Sequence, residues 1–102
     1  MNFVRGVEGM ARKMPGRPAV LLDVPMYGLE GFIRDRGFAS VKMPQGRSDD
    51  LAIDLARENG YLVVTPDEQL VERCRALDIE VIDVGFRAMR DVALRYLTER
   101  YS

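Results

Sequence analysis

The stretch Gly60-Tyr61-Leu62-Val63-Val64-Thr65-Pro66-Asp67-Glu68 decides the fold. Tyr61 to Thr65 is a short apolar run, and continuous rather than alternating hydrophobicity marks a strand covered on both faces. Where the strand stops, a helix starts. Thr65 reads as its N-cap, Pro66 as its first residue and Glu68 as the third position of a capping box. Upstream, Ser48 to Asn59 carries Leu51, Ala52, Leu55 and Ala56 on one face and ends at Gly60, a natural helix stop. Downstream, Pro66 to Leu77 repeats the pattern with Leu70, Val71, Cys74 and Leu77. A buried strand between two amphipathic helices is the building unit of a parallel α/β sheet.

The same grammar recurs on both sides. Ala19 to Leu22 is a second apolar run, fenced by Pro18, Asp23 and Pro25. Phe38 to Met43, stopped by Pro44, and Ile79 to Val84 supply two more strands. Tyr27 to Arg36 places Leu29, Phe32 and Ile33 on one side, and Arg87 to Tyr101 aligns Met89, Val92, Ala93, Tyr96 and Leu97. The order is βαβαβαβα. Right-handed crossovers then predict one domain over residues 1–102, a three-layer α/β/α sandwich with a four-stranded parallel sheet and its core in residues 18–102. Residues 1–17 stand outside the repeat. Phe3, Val4, Val7, Met10, Ala11 and Met14 recur at helical spacing, and Arg5, Arg12, Lys13 and Arg17 against Glu8 give a net charge of +3. This segment reads as a basic helix docked on the sheet or on a second subunit, or as a basic arm. The long apolar last helix and this extra segment exceed what four strands need for cover, which points to a homodimer.

Composition removes whole classes of chemistry. With 102 residues the chain buries roughly 65% of its unfolded surface. Fifteen basic and 16 acidic residues leave a formal charge of −1, so no global positive field marks a nucleic-acid or membrane partner. No His and a single Cys exclude an imidazole-based triad, a His-ligated zinc and an internal disulfide. Acid and glycine near the start replace the apolar stretch of a signal peptide, and the expectation is a soluble, cytoplasmic protein. Cys74 falls on the apolar face of its helix and is expected to be a buried structural thiol.

In an open parallel sheet, ligands bind beyond the carboxyl ends of the strands, where the chain order reverses. Acids fall at each of those junctions. Asp23 follows the first strand, Asp49 and Asp50 open the helix after the second, Asp67 and Glu68 open the helix after the third, and Asp83 ends the fourth. First-turn acids also gain about 0.3–1 kcal/mol from the helix dipole, which alone accounts for Asp50 and Glu68. Asp23 has no such excuse, because it terminates the most apolar strand. Clustered carboxylates repel one another, and a hard divalent cation relieves them.

These residues resemble a known family. Leu21-Leu22-Asp23, Ser48-Asp49-Asp50-Leu51-Ala52-Ile53 and Thr65-Pro66-Asp67 look like the compact branch of the PIN-like domains, over Ala19 to Val84. The resemblance implies a metal-dependent ribonuclease acting on RNA, met in toxin–antitoxin systems and in RNA processing. It implies that Asp23, Asp49 and Asp67 hold Mg²⁺ or Mn²⁺, that Thr65 supports them as the hydroxyl of a Thr-x-Asp motif, and that an antitoxin protein is a partner. Active members carry a further Glu on an early helix or directly after the first-strand acid. Here Val24 follows Asp23 and no Glu occurs between Gly31 and Arg57, which leaves Glu30, Asp50 and Asp83 as substitutes.

RNA contact needs positive charge near the acids. Arg47 before the acidic helix and Lys42 at the end of the second strand are placed at that edge by the topology, and Arg12, Lys13 and Arg17 reach it if the first segment folds over the site. The loop Pro44 to Ser48 lacks the Gly-x-x-x-x-Gly-Lys pattern of a P-loop. A receiver-like phosphoryl-transfer regulator needs a lysine at the acids, and the chain has only Lys13 and Lys42. Two readings stay open from the sequence: a Mg²⁺- or Mn²⁺-dependent endoribonuclease, and a catalytically degenerate PIN-like module that binds RNA or a protein.

Overall fold

A computed structural model of the chain describes residues 16–101. The basic segment expected over residues 1–17 lies outside them except for its last two residues, and with it Arg12 and Lys13. The strands are β1 (Val20–Leu22), β2 (Ser40–Lys42), β3 (Leu62–Thr65) and β4 (Val81–Asp83). They form one parallel sheet in the order β2-β1-β3-β4. The helices are α1 (Glu30–Asp35), α2 (Asp49–Asn59), α3 (Glu68–Ala76) and α4 (Phe86–Tyr101).

The apolar runs become the middle of the sheet for the expected reason. Val20, Leu21, Leu22, Val63 and Val64 are all buried, and they alternate between two cores. Leu21 and Val63 pack with Ile53, Leu70 and Cys74 beneath α2 and α3. Val20, Leu22 and Val64 pack with Met26, Leu29 and Ile33 on the opposite face, beneath α1. Helices therefore lie on both faces of the sheet, a three-layer arrangement. Cys74 is fully buried, and burial pushes its thiol pKa up.

Several boundaries differ from the sequence reading, each with a local cause. The helix expected over Tyr27 to Arg36 is preceded by a 3-10 segment, Val24–Leu29, with Asp23 as its cap and Pro25 in its first turn. Asp23 therefore does cap an element, contrary to expectation. Strands β2 and β4 are shorter than expected because each is an edge strand with one neighbour. Helix α2 ends at Gly60 as read, with a left-handed φ of 69° and its N–H donating to the Ala56 carbonyl. The Thr65–Glu68 capping box does not form. Asp67 caps α3 instead, its Oδ1 accepting from the N–H groups of Gln69 and Leu70, and Glu68 pairs with Arg87 at 3.2 Å.

Helix α4 departs most. Its apolar residues Met89, Val92, Ala93, Tyr96 and Leu97 were read as aligned on one side and as more than the sheet needs for cover, and none of the helix is buried among the described residues.

Candidate functional site

The strand order places the topological switch between β1 and β3. From β1 the chain moves outward to β2, then crosses back to β3 on the other side. Asp23 leaves β1 at this point and Thr65 ends β3 beside it. Register fixes which face they share. Leu22 pairs with Val64 and Thr65 with Asp83, so Asp23, Thr65 and Asp83 form a row across the carboxyl edge on the α2–α3 side. The N-termini of α2 and α3 bring Asp49 and Asp67 to that same side.

Thr65 is the centre of the row. It is fully buried, donates its hydroxyl to Asp23 Oδ2 at 2.7 Å, and accepts from the Asp67 N–H at 3.0 Å. The Asp23 N–H donates to the Val64 carbonyl, while its Oδ1 accepts from the Val24 N–H at 2.9 Å. The Asp23 carboxylate is therefore oriented from both sides. Asp67 is committed through Oδ1 to the cap of α3, and among the described residues no donor reaches its Oδ2.

Asp49 has the electrostatic signature of the cluster. Burial first, then the charges of Asp67 and Asp23, push its pKa above the ordinary carboxylate value, against the opposing pull of Arg73. Asp49 thus senses both of the other acids at the switch point. Among the described residues no three acids stand close enough to form a metal-coordinating group as they are placed. Their chemistry still fits one hard cation. All are oxygen donors, each keeps lone pairs beyond its present hydrogen bonds, and a cation would remove the repulsion that raises Asp49.

The remaining expected residues separate. Asp50, read as an assisting acid, turns to Arg73, 2.6 Å away and exposed. Asp83 lies in the row, but its Oδ1 accepts from the Gly85 N–H at 2.8 Å and closes the β4–α4 turn. Glu30 stands on the opposite face, where it holds α1 to β2. It accepts from the buried Ser40 hydroxyl at 3.1 Å and pairs with Arg34 and Lys42. Burial raises the Glu30 pKa, but Ser40, Lys42 and Arg34 outweigh it and the net shift is downward.

Of the basic residues, Arg47 is exposed beside the N-terminus of α2, with no ion pair among the described residues. Lys42 is engaged by Glu30 at 3.4 Å and lies over the Tyr27 ring, so it is not free at the acidic edge as expected. Arg17 is a further correction. Its guanidinium donates to the Arg36 carbonyl and stacks on Phe38, before β1 and β2 begin and away from the acids. The residue that sequence reasoning missed is Arg73. Its one signal was topological: α2 and α3 share a face, so an acid in the first turn of one meets a base on the other. Comparisons of the chain with protein-family models, with curated proteins and with solved structures find no match.

Proposed function

We propose that the chain is a PIN-like, Mg²⁺- or Mn²⁺-dependent endoribonuclease that cleaves single-stranded RNA at the carboxyl edge of β1 and β3. The observation that supports this reading is the Asp23–Thr65–Asp67 chain of hydrogen bonds, with the Asp49 pKa raised by burial and then by the charges of the same two acids. Asp23, Asp49 and Asp67 would hold the ion. When bound, it would supply an activated water and neutralise charge developing on the phosphodiester.

The protein's own part is positioning. Thr65 orients the carboxylate that Asp23 presents, and the α3 cap holds Asp67 through its Oδ1. Arg47 and Arg73 flank the acids and would hold the RNA phosphates; Arg73 must first be shared with Asp50. A second reading, a catalytically degenerate RNA- or protein-binding module, is favoured by one observation: Glu30 and Asp50 are both committed to basic partners, which leaves no fourth acid beyond Asp83 at the edge.

The test is Mn²⁺-dependent cleavage of end-labelled single-stranded RNA by the parent chain, Asp23→Asn and Asp67→Asn, purified identically. Cleavage by the parent and a loss of at least about a hundredfold in each variant is expected. Equal cleavage by all three would indicate a contaminant, and no cleavage by any would leave the binding module.

A further inference from the structure

Handedness decides how many crossover helices each face of this sheet receives. The step from β1 to β2 runs opposite to the steps from β2 to β3 and from β3 to β4. Right-handed crossovers therefore put α1 on one face, and α2 with α3 on the other. A helix about 10 Å wide covers about two strands spaced about 4.8 Å apart, and α1 takes β1 and β2. Beyond it, Leu62, Val64 and Ile82 floor an open apolar cavity of about 450 Å³, walled by Phe32, Arg36 and Phe38. Ile82 is 48% exposed and Phe32 63%. Among the described residues no part of α4 lines this groove, and the root of that helix is held on the far face, where Arg87 pairs with Glu68 and Glu72 of α3.

The described chain starts at the rim of the groove. Arg17 stacks on the Phe38 ring, 4.9 Å from its centroid, and donates to the Arg36 carbonyl at 2.8 Å. Both tethers are residues of the groove wall. Residues 1–15 lie outside the described residues, and the chain that carries them leaves from this rim. Their sequence is amphipathic on a helical repeat. Phe3, Val7, Met10 and Met14 fall within about 60° of one another, and Arg5 and Arg12 fall on the opposite side. Gly6 and Gly9 weaken such a helix in isolation, so it needs a surface to form against.

We propose that residues 3–14 form a helix that fills the α1-side groove of their own chain, with the apolar stripe on Leu62, Val64 and Ile82 and with Arg5 and Arg12 toward solvent. The dimensions agree. Twelve helical residues span about 18 Å, enough to run the length of β3, whose four residues span about 13 Å. One helical turn from Met14 to Met10 advances about 6 Å, close to the roughly 6.6 Å from Leu62 to Val64 along the strand. The tether selects the chain's own groove over that of a second copy. With Arg17 fixed at the rim, the segment meets this groove at an effective concentration of about millimolar, far above a protein at micromolar concentration. The groove lies on the face opposite the acids, so the inference is independent of the nuclease reading.

A nitroxide attached to Arg12→Cys in the full chain tests it, because position 12 is on the outward side and the native Cys74 is fully buried from the label. The expected result is loss of the amide NMR signals of Phe32, Val64 and Ile82, with those of Ile53 and Leu70 on the far face retained. Val7→Asp in the nitroxide-bearing chain should restore the groove signals; Val7→Ser replaces it if the far-face signals shift as well. Isotope-labelled chain without nitroxide, mixed with nitroxide-bearing chain, should keep every signal. Loss of groove signals in that mixture would place the helix on a second copy and overturn the proposal. Loss spread evenly over both faces, loss centred on Asp49 and Asp67, intact groove signals, or loss that survives both Val7 substitutions overturns it too.

Discussion

Thr65 and Asp23, 42 residues apart in sequence, are joined by a 2.7 Å hydrogen bond at the carboxyl edge of the two central strands. The same hydroxyl receives the Asp67 N–H, so Thr65→Val removes a donor and an acceptor from a fully buried position without changing its volume much. Leaving those groups unpaired costs about 1–3 kcal/mol. A lowered urea midpoint with unchanged slope is expected, and Thr65→Ser should recover most of the loss.

Asp67 has a capping role and a proposed metal role, and two substitutions separate them. Asp67→Ala loses the cap of α3 and about 1 kcal/mol, while Asp67→Asn keeps an acceptor for the Gln69 and Leu70 N–H groups and should stay within a few tenths of the parent. Urea unfolding reads the cap. The Mn²⁺-dependent rise in Tm reads the metal, and it should vanish in both variants.

Asp49 gives a pH dependence of unusual sign. Its folded pKa is raised above the unfolded value, so its stability contribution is complete below the ordinary carboxylate pKa and is lost as pH rises through the folded one. At neutral pH the ionised Asp49 therefore weakens the metal-free fold. Asp49→Asn should melt higher than the parent at pH 7 and equally at pH 3 to 4, near the ordinary Asp pKa of about 3.9. Saturating Mn²⁺ should raise the parent and leave the variant unmoved, as followed by thermal melts.

Gly85 admits no side chain. A Cβ would stand 2.6 Å from the Pro66 carbonyl oxygen and 3.1 Å from Asp83 Oδ1, so Gly85→Ala must displace backbone at the β4–α4 turn. A loss of about 1–3 kcal/mol is expected, the range of an overpacked core. Calorimetry checks it, with the β4–α4 amides showing the largest gain in hydrogen exchange.

The sheet and both cores were legible in the sequence because their signals are local. Val20 to Leu22 and Leu62 to Thr65 are apolar without interruption, and Gly60 ends α2 as a glycine in that context must. The acids at the switch point were legible too, since Asp23 follows a strand end and Asp49 and Asp67 lie at helix starts that the alternation of strands and helices predicts. What escaped depended on competition between partners. Thr65 could cap α3 or bind Asp23, and the carboxylate two residues on makes a stronger cap, which frees the hydroxyl for the sheet edge. Asp50 could assist the site or meet Arg73, and nothing in local spacing announces a pair 23 residues apart. Lys42 was placed by strand position and Arg17 by a folding-over of the first segment, while their long side chains are claimed by Glu30 and by Phe38.

The pairing of β1 with β3 also sets when the site comes into being. Leu22 meets Val64 only after the chain between them has closed as a loop, and parallel contacts of that span are rewarded late in folding. Asp23, Asp49 and Asp67 are thus scattered in a nascent chain and gather only once the central ladder has zipped. On the proposed nuclease reading, the site cannot assemble until β3 and Asp67 have been made, and truncation anywhere before Thr65 silences it while leaving Asp23 in place.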